Sequence, residues 1–238
     1  MNKFGLLVIY LTFCLFGWSQ IQKPRNYFRF DERIAHFGFM MGGNSSDFQV
    51  FPKVNAYNDY GLISVKNKST NGGQIAMVST FRLINPVLRL RFLPGLSFQE
   101  KVLVFSFESE EEPGEIDVFE ERIAMTNLDF PLMLQFRTTR FNNFATYVLA
   151  GGMYSLDLQS QQDKSQSLIN PFIKLKRDDF QIQGGVGVEF FAPYFKFGME
   201  IKYSQGMINS FIQDNTKVSN PIEMMRNKIF WLSFIFEG

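Results

Sequence analysis

Along much of this chain apolar and polar residues alternate with period two, the spacing of a β-strand whose two faces meet different surroundings. Residues 179–205 show it most clearly. Phe180, Ile182, Val186, Val188 and Phe190 alternate with Gln181, Gln183, Gly185, Gly187 and Glu189. After Ala192, Pro193 and Tyr194 the pattern resumes, with Phe195, Phe197, Met199, Ile201 and Tyr203 set against Lys196, Gly198, Glu200, Lys202 and Ser204. This predicts two antiparallel strands joined by a tight turn.

The same pattern predicts strands over 33–42, 74–84, 87–107 (bent at Pro94), 118–137, 144–158 and 228–236, so that eight strands emerge in all. Short connections fall at Asn85 and Pro86, at 138–143 and at 192–194. Long polar ones fall at 44–73, 108–117, 159–178 and 206–227. A structureless stretch as long as 44–73 counts against a compact soluble domain. Short and long connections that alternate between two ends instead predict an all-β, antiparallel, up-and-down outer-membrane barrel, with short periplasmic turns and long external loops.

The amino terminus supports export. Asn2 and Lys3 precede an apolar run over 4–18, and Gly17 and Ser19 occupy the small-residue positions before a cleavage site. Residues 1–19 read as a signal peptide, 20–32 as a periplasmic tail and 33–238 as the barrel. Cys14 lies within the leader, so the mature chain has no cysteine for a disulfide or a redox role.

Export changes the reading of the strand faces. A secreted sandwich or a lipocalin-like barrel would turn its charges outward, and would then have to fill one core with a large share of 29 phenylalanines. A membrane barrel inverts this. Its apolar face, including Phe195, Phe197, Met199, Ile201, Phe230, Leu232, Phe234 and Phe236, meets outer-membrane lipid. Its polar face puts Arg89, Arg91, Asp129, Arg137, Glu189, Lys196, Glu200 and Lys202 into the lumen, where opposite charges pair. Eight strands enclose a space that side chains fill, so the expectation is a plugged barrel and no pore.

Chemistry is sparse. With 24 basic and 23 acidic residues the chain makes no electrostatic case for nucleic acid. Its single histidine, His36, could serve as a general base in a lipid A-modifying barrel, but a lumen-filling role suits it better. One histidine and no mature cysteine leave no metal site, and no cofactor or small-molecule substrate is expected. The run Gly184-Gly185-Val186-Gly187 lacks the third glycine and the helix of a nucleotide loop, and reads as a strand relieved of crowding. Glu108, Glu110, Glu111, Glu112, Glu115 and Asp117 form a solvated acidic loop that could also meet a cation or a basic partner.

Four blocks carry a family resemblance: LRLRFLPGLSF over 88–98, NLDFPLMLQFRTTRFNN over 127–143, YVLAGGMYSLDL over 147–158 and YFKFGMEIKYSQGM over 194–207. Together they resemble the PorT family, called SprT in gliding relatives. The resemblance implies an integral outer-membrane component of the type IX secretion system of Bacteroidetes. Such a protein is non-catalytic, needed for export of cargo and of gliding adhesins, and partnered by other proteins of that system. It carries over no catalytic or binding residue. The alternatives are a general OmpA-like structural or adhesive barrel and the His36 enzyme.

Overall fold

The structure, a computed structural model, describes residues 26–83, 87–109, 115–160, 162 and 172–238. The leader, the turn at Asn85 and Pro86, and Glu110, Glu111 and Glu112 lie outside the described residues. The strands are β1 (Ala35–Pro52), β2 (Leu62–Arg82), β3 (Leu88–Phe92), β4 (Gly95–Glu108), β5 (Ile116–Arg137), β6 (Phe144–Asp157), β7 (Lys174–Leu175), β8 (Asp178–Phe191), β9 (Lys196–Gly206), β10 (Phe211–Ile212) and β11 (Ile222–Glu237). A 3-10 turn, Phe28–Glu32, precedes β1, and a short helix α1, Ala56–Tyr60, separates β1 from β2.

Nine of these strands form one sheet, and β1 pairs with both β2 and β11, so the sheet closes on itself. β3 and β4 occupy a single position between β2 and β5, one below and one above the break at Leu93 and Pro94, which leaves eight positions in the ring. Every pairing is antiparallel, each of the eight ring positions adjoins the next along the chain, and the last strand meets the first. Proline has no N–H to give the ladder, which is why the strand divides at Pro94.

One end gathers the start of β1, the end of β11 and the turns at 138–143 and 192–194, and is the periplasmic end of such a barrel. Outward-facing residues are apolar through a band above it: Phe37, Phe39 and Met41 on β1, Leu132, Leu134 and Phe136 on β5, Phe195, Met199 and Ile201 beside β9, and Phe230 and Leu232 on β11 are all exposed. Polar residues then follow on outward positions as a rim, at Asp47, Asn71, Glu100, Asp178, Gln205 and Lys228. Tyr154 and Tyr203 lie at that rim, their hydroxyls on Asp178 and Gln205, as aromatic residues do at a membrane surface.

Beyond the rim the structure departs from the expected long loops. Much of 44–73 is not a connection, because β1 continues to Pro52 and β2 begins at Leu62. Likewise β11 starts at Ile222 and not near 228. The cause is a reversal of solvent. Outside the membrane water wets the outer face, and the interior becomes the apolar side, so an outward-apolar pattern no longer marks a strand. On β4 the inward residues pass from Ser97, Gln99 and Lys101 to Leu103, Phe105 and Phe107. The last three join Phe48, Met125, Leu175, Phe211 and Ile222 in an apolar cluster that closes the external end. The Asn and Ser residues of β1 bond within the barrel: Asn44 donates to the carbonyls of Gly73 and Phe98, and Ser46 to that of Glu100.

Candidate functional site: a filled lumen and its periplasmic mouth

All eight charged residues read as lumen-facing are buried. Seven of them stand in one half. Arg91 on β3 meets Glu200 on β9 at 2.9 Å and Gln135 on β5 at 3.0 Å. Lys202 meets Glu200 at 2.7 Å, and Lys196 meets Glu189 at 2.8 Å. Arg137 approaches Glu189 at 3.7 Å, and Arg89 lies at the mouth. Asp129 stands apart, higher in the barrel, where it accepts from Ser155.

Four residues of this network escaped the sequence reading. Glu237 pairs with Lys196, lies 3.8 Å from Arg91 and accepts from Thr80 at 2.6 Å. Tyr147 donates to Glu200 at 2.9 Å, with the Arg91 guanidinium 5.3 Å from its ring centre. Gln135 donates to Glu189 at 3.0 Å. Asp31 comes from the 3-10 turn. Alternation could have found Glu237, since it continues the inward series of Ser233 and Ile235. A signal for Tyr147 was the inward glycine across from it: a Cβ at Gly187 would sit 2.3 Å from the tyrosine ring.

Above the charges comes a layer of Met40, Val78, Leu93, Met133, Leu149 and Ile235. Above that, Gln74 donates to Ser233, and Gln183 and Trp231 both donate to Ser204. One cavity in this middle part, between Met40, Gln74, Leu93, Met153, Gln183 and Trp231, holds about 10 Å³, and a buried water needs at least roughly that. Higher again Lys101 is buried against Asn227 and over the ring of Phe48, and Asn227 donates to Asp179 at 2.6 Å.

Asn26 through Glu32, read from the sequence as part of a polar tail, close the periplasmic mouth. Phe30 is fully buried and stacks on His36 with ring centres 3.8 Å apart. Asp31 accepts from Arg137 at 2.7 Å and Arg89 at 3.1 Å, and Arg140 lies 3.8 Å away. Burial works against the Asp31 carboxylate, but the hydrogen bond and charge of Arg137, joined by Arg89 and Arg140, outweigh it and hold the carboxyl below its usual range. His36 lies under this plug, and neither of its ring nitrogens has a hydrogen-bond partner.

The residues read as lipid-facing all point outward. Phe195, Met199, Ile201, Phe230 and Leu232 are exposed, and Phe197, Phe234 and Phe236 are half-buried because they stack on one another and on Phe39. Among the described residues no group of three or more His, Cys, Asp or Glu is placed to hold a metal ion.

The profile of the outer membrane protein beta-barrel domain family matches residues 18–212. This chain belongs to that family. As an outer membrane β-barrel protein it resides in the bacterial outer membrane. Among solved structures it is similar to the outer membrane protein OprG from Pseudomonas aeruginosa, at 14% identity and a TM-score of 0.44, over 86% of this chain and 92% of that one. It is also similar to Ail, the attachment invasion locus protein of Yersinia pestis, at 13% identity and a TM-score of 0.39, over 87% of this chain and 100% of that one. No curated protein matches the chain.

Proposed function

We propose that this barrel is a non-catalytic, non-conducting accessory or scaffold component of the type IX secretion system, needed for export of cargo and, in gliding species, of surface adhesins. The observation that carries this reading is the filled lumen: a mouth plugged by Phe30 and Asp31, a mid-section packed with buried apolar and hydrogen-bonded side chains, and an apolar cap outside. Such a barrel offers no conduit for a protein, so a part in export works through its outer surfaces and its partners in the secretion system. The four sequence blocks supply the link to that system. The position of His36, enclosed by Phe30 and bonded to neither acid nor serine, supports a non-catalytic reading over lipid A modification.

Deleting the gene and comparing cargo in cells and medium tests the proposal. Cargo retained in the cells is the expected result, and unchanged secretion overturns it. Reconstituted in a planar bilayer, the purified protein should give conductance no higher than background. A general structural or adhesive barrel is the second reading, favoured by the folded part that stands outside the membrane, and it predicts normal secretion in the deletion strain.

A further inference from the structure

Above the membrane β5 has a neighbour on one side only among the described residues. Its outer part pairs with β4 from Glu108↔Ile116 to Gly95↔Asp129, but with β6 only from Asn127↔Asp157 toward the periplasm. Successive residues of a strand turn their N–H and C=O to alternate sides. Leu158 N donates to Thr126 O, and Ser109 N to Glu115 O, which aims the even-numbered residues at the β6 side and the odd-numbered ones at β4. Ile116, Val118, Glu120, Arg122 and Ala124 therefore direct their N–H and C=O to a side where no strand follows among the described residues. No backbone bond reaches them there among the described residues.

Across this opening lies β7, which pairs with β10 and not with β5. The chain touches β5 just before β7 begins: Ile173 N lies 3.5 Å from the Glu121 carboxylate, beside a notch of about 60 Å³ between Ile123, Asp157 and Phe172. Behind the opening stand Phe119 and Ile123, packed against the external apolar cluster. Among the described residues, therefore, no strand pairs with the β6 side of 116–124, and apolar side chains stand behind that edge.

We propose that the outer half of β5 is a strand-addition site, at which an extended basic segment of a partner protein bonds its main chain to residues 116–124. Strand addition gains affinity from main-chain hydrogen bonds, and alternate side chains set the specificity. Here the edge is acidic on both faces: Glu115, Asp117 and Glu121 share one with Phe119 and Ile123, Glu120 lies on the other, and the one base, Arg122, is already paired with Glu120 at 2.8 Å. A second copy of this chain fits poorly. Copies in one membrane stand the same way up, so their β5 strands run parallel, and pairing in register would bring like acids together. The site does not depend on a part in secretion, only on the outward placement of this end.

The test uses the full mature chain in lipid nanodiscs and a fluorescent peptide of alternating Lys and Val as long as the edge. We expect saturable binding, weakened about tenfold by the pair Val118→Pro and Arg122→Pro, because proline there removes N–H groups on the open side and leaves the β4 ladder intact. Glu120→Lys with Glu121→Lys should weaken it similarly, and decides the matter if the proline pair does not fold. In hydrogen exchange the amides of Val118, Glu120, Arg122 and Ala124 should exchange fast in the free protein and slowly with peptide bound. Slow exchange in the free protein, no saturable binding, undiminished binding by the folded variants, or equal binding of a Glu/Val peptide would each overturn the proposal.

Discussion

Asp31 joins the mouth of the barrel through two close arginines, Arg89 and Arg137, each from a different strand. Its carboxyl ionises more readily folded than unfolded. Its stabilising effect is therefore complete above the unfolded carboxyl value of about 3.9, and is lost as pH falls through the lower folded value. Protease cleavage within 26–32 should rise as pH drops below about 4, while cleavage in the strands does not. Asp31→Asn should cost about 2 kcal/mol in urea titration, since hydrogen bonds to charged groups are lost, and should flatten the pH response. Glu237 lies deeper and has more at stake. Glu237→Ala would leave Lys196 and Arg91 short of a counter-charge, and breaking a buried pair from one side costs about 3–5 kcal/mol. A loss below 1 kcal/mol, on the order of a surface substitution, would show that water or a neighbour takes its place. Arg89, Arg91, Arg137, Lys196 and Lys202 could be read as inward because each alternates with large apolar residues, whereas Lys101, higher in the barrel beside Val102 and Leu103, could not. Nor could Asp31, since nothing in the sequence before β1 says that the chain turns back into the barrel.

For a strand, the level of the membrane decides what its pattern means. Within the band the alternation gave the right faces, and 179–205 form the hairpin of β8 and β9 with a register in which Val186 faces Ile201 and Phe190 faces Phe197. Outside it the rule reverses, and the polar runs of 44–73 concealed two strand extensions and the helix α1. The two regimes give paired predictions. Met199→Arg places a charge in hydrocarbon and should cost about 2–4 kcal/mol. Asn71→Arg, on an exposed outward position just past the rim, should change stability by no more than about 0.5 kcal/mol. Urea-dependent folding into lipid vesicles measures both, and equal costs would displace the membrane level drawn here.

At the scale of the molecule the ring of eight positions, its hand-over from last strand to first and its filled interior all follow from strand count and turn length. What strand count could not supply was the division into two storeys. The lower one is held by ion pairs and glutamine bonds inside and lipid outside; the upper one is built like a soluble protein, with Leu103, Phe105 and Ile222 fully buried. The reason is physical, because no run of residues in the upper storey is apolar on a single face long enough to stand out from a loop.

The plug also has a bearing on time. Residues 26–32 come first in the described chain, yet Phe30 and Asp31 contact Arg89, Arg137, Phe191 and Lys196, which belong to β3, β5, β8 and β9. Their seat does not exist until those four strands stand together, and contacts so far apart in the chain carry a large loop-closure entropy. The amino-terminal turn therefore reports when the barrel is complete. During refolding into vesicles, protection of 26–32 from protease should lag behind protection of the β8 and β9 hairpin, and simultaneous protection would show that the mouth assembles around the turn.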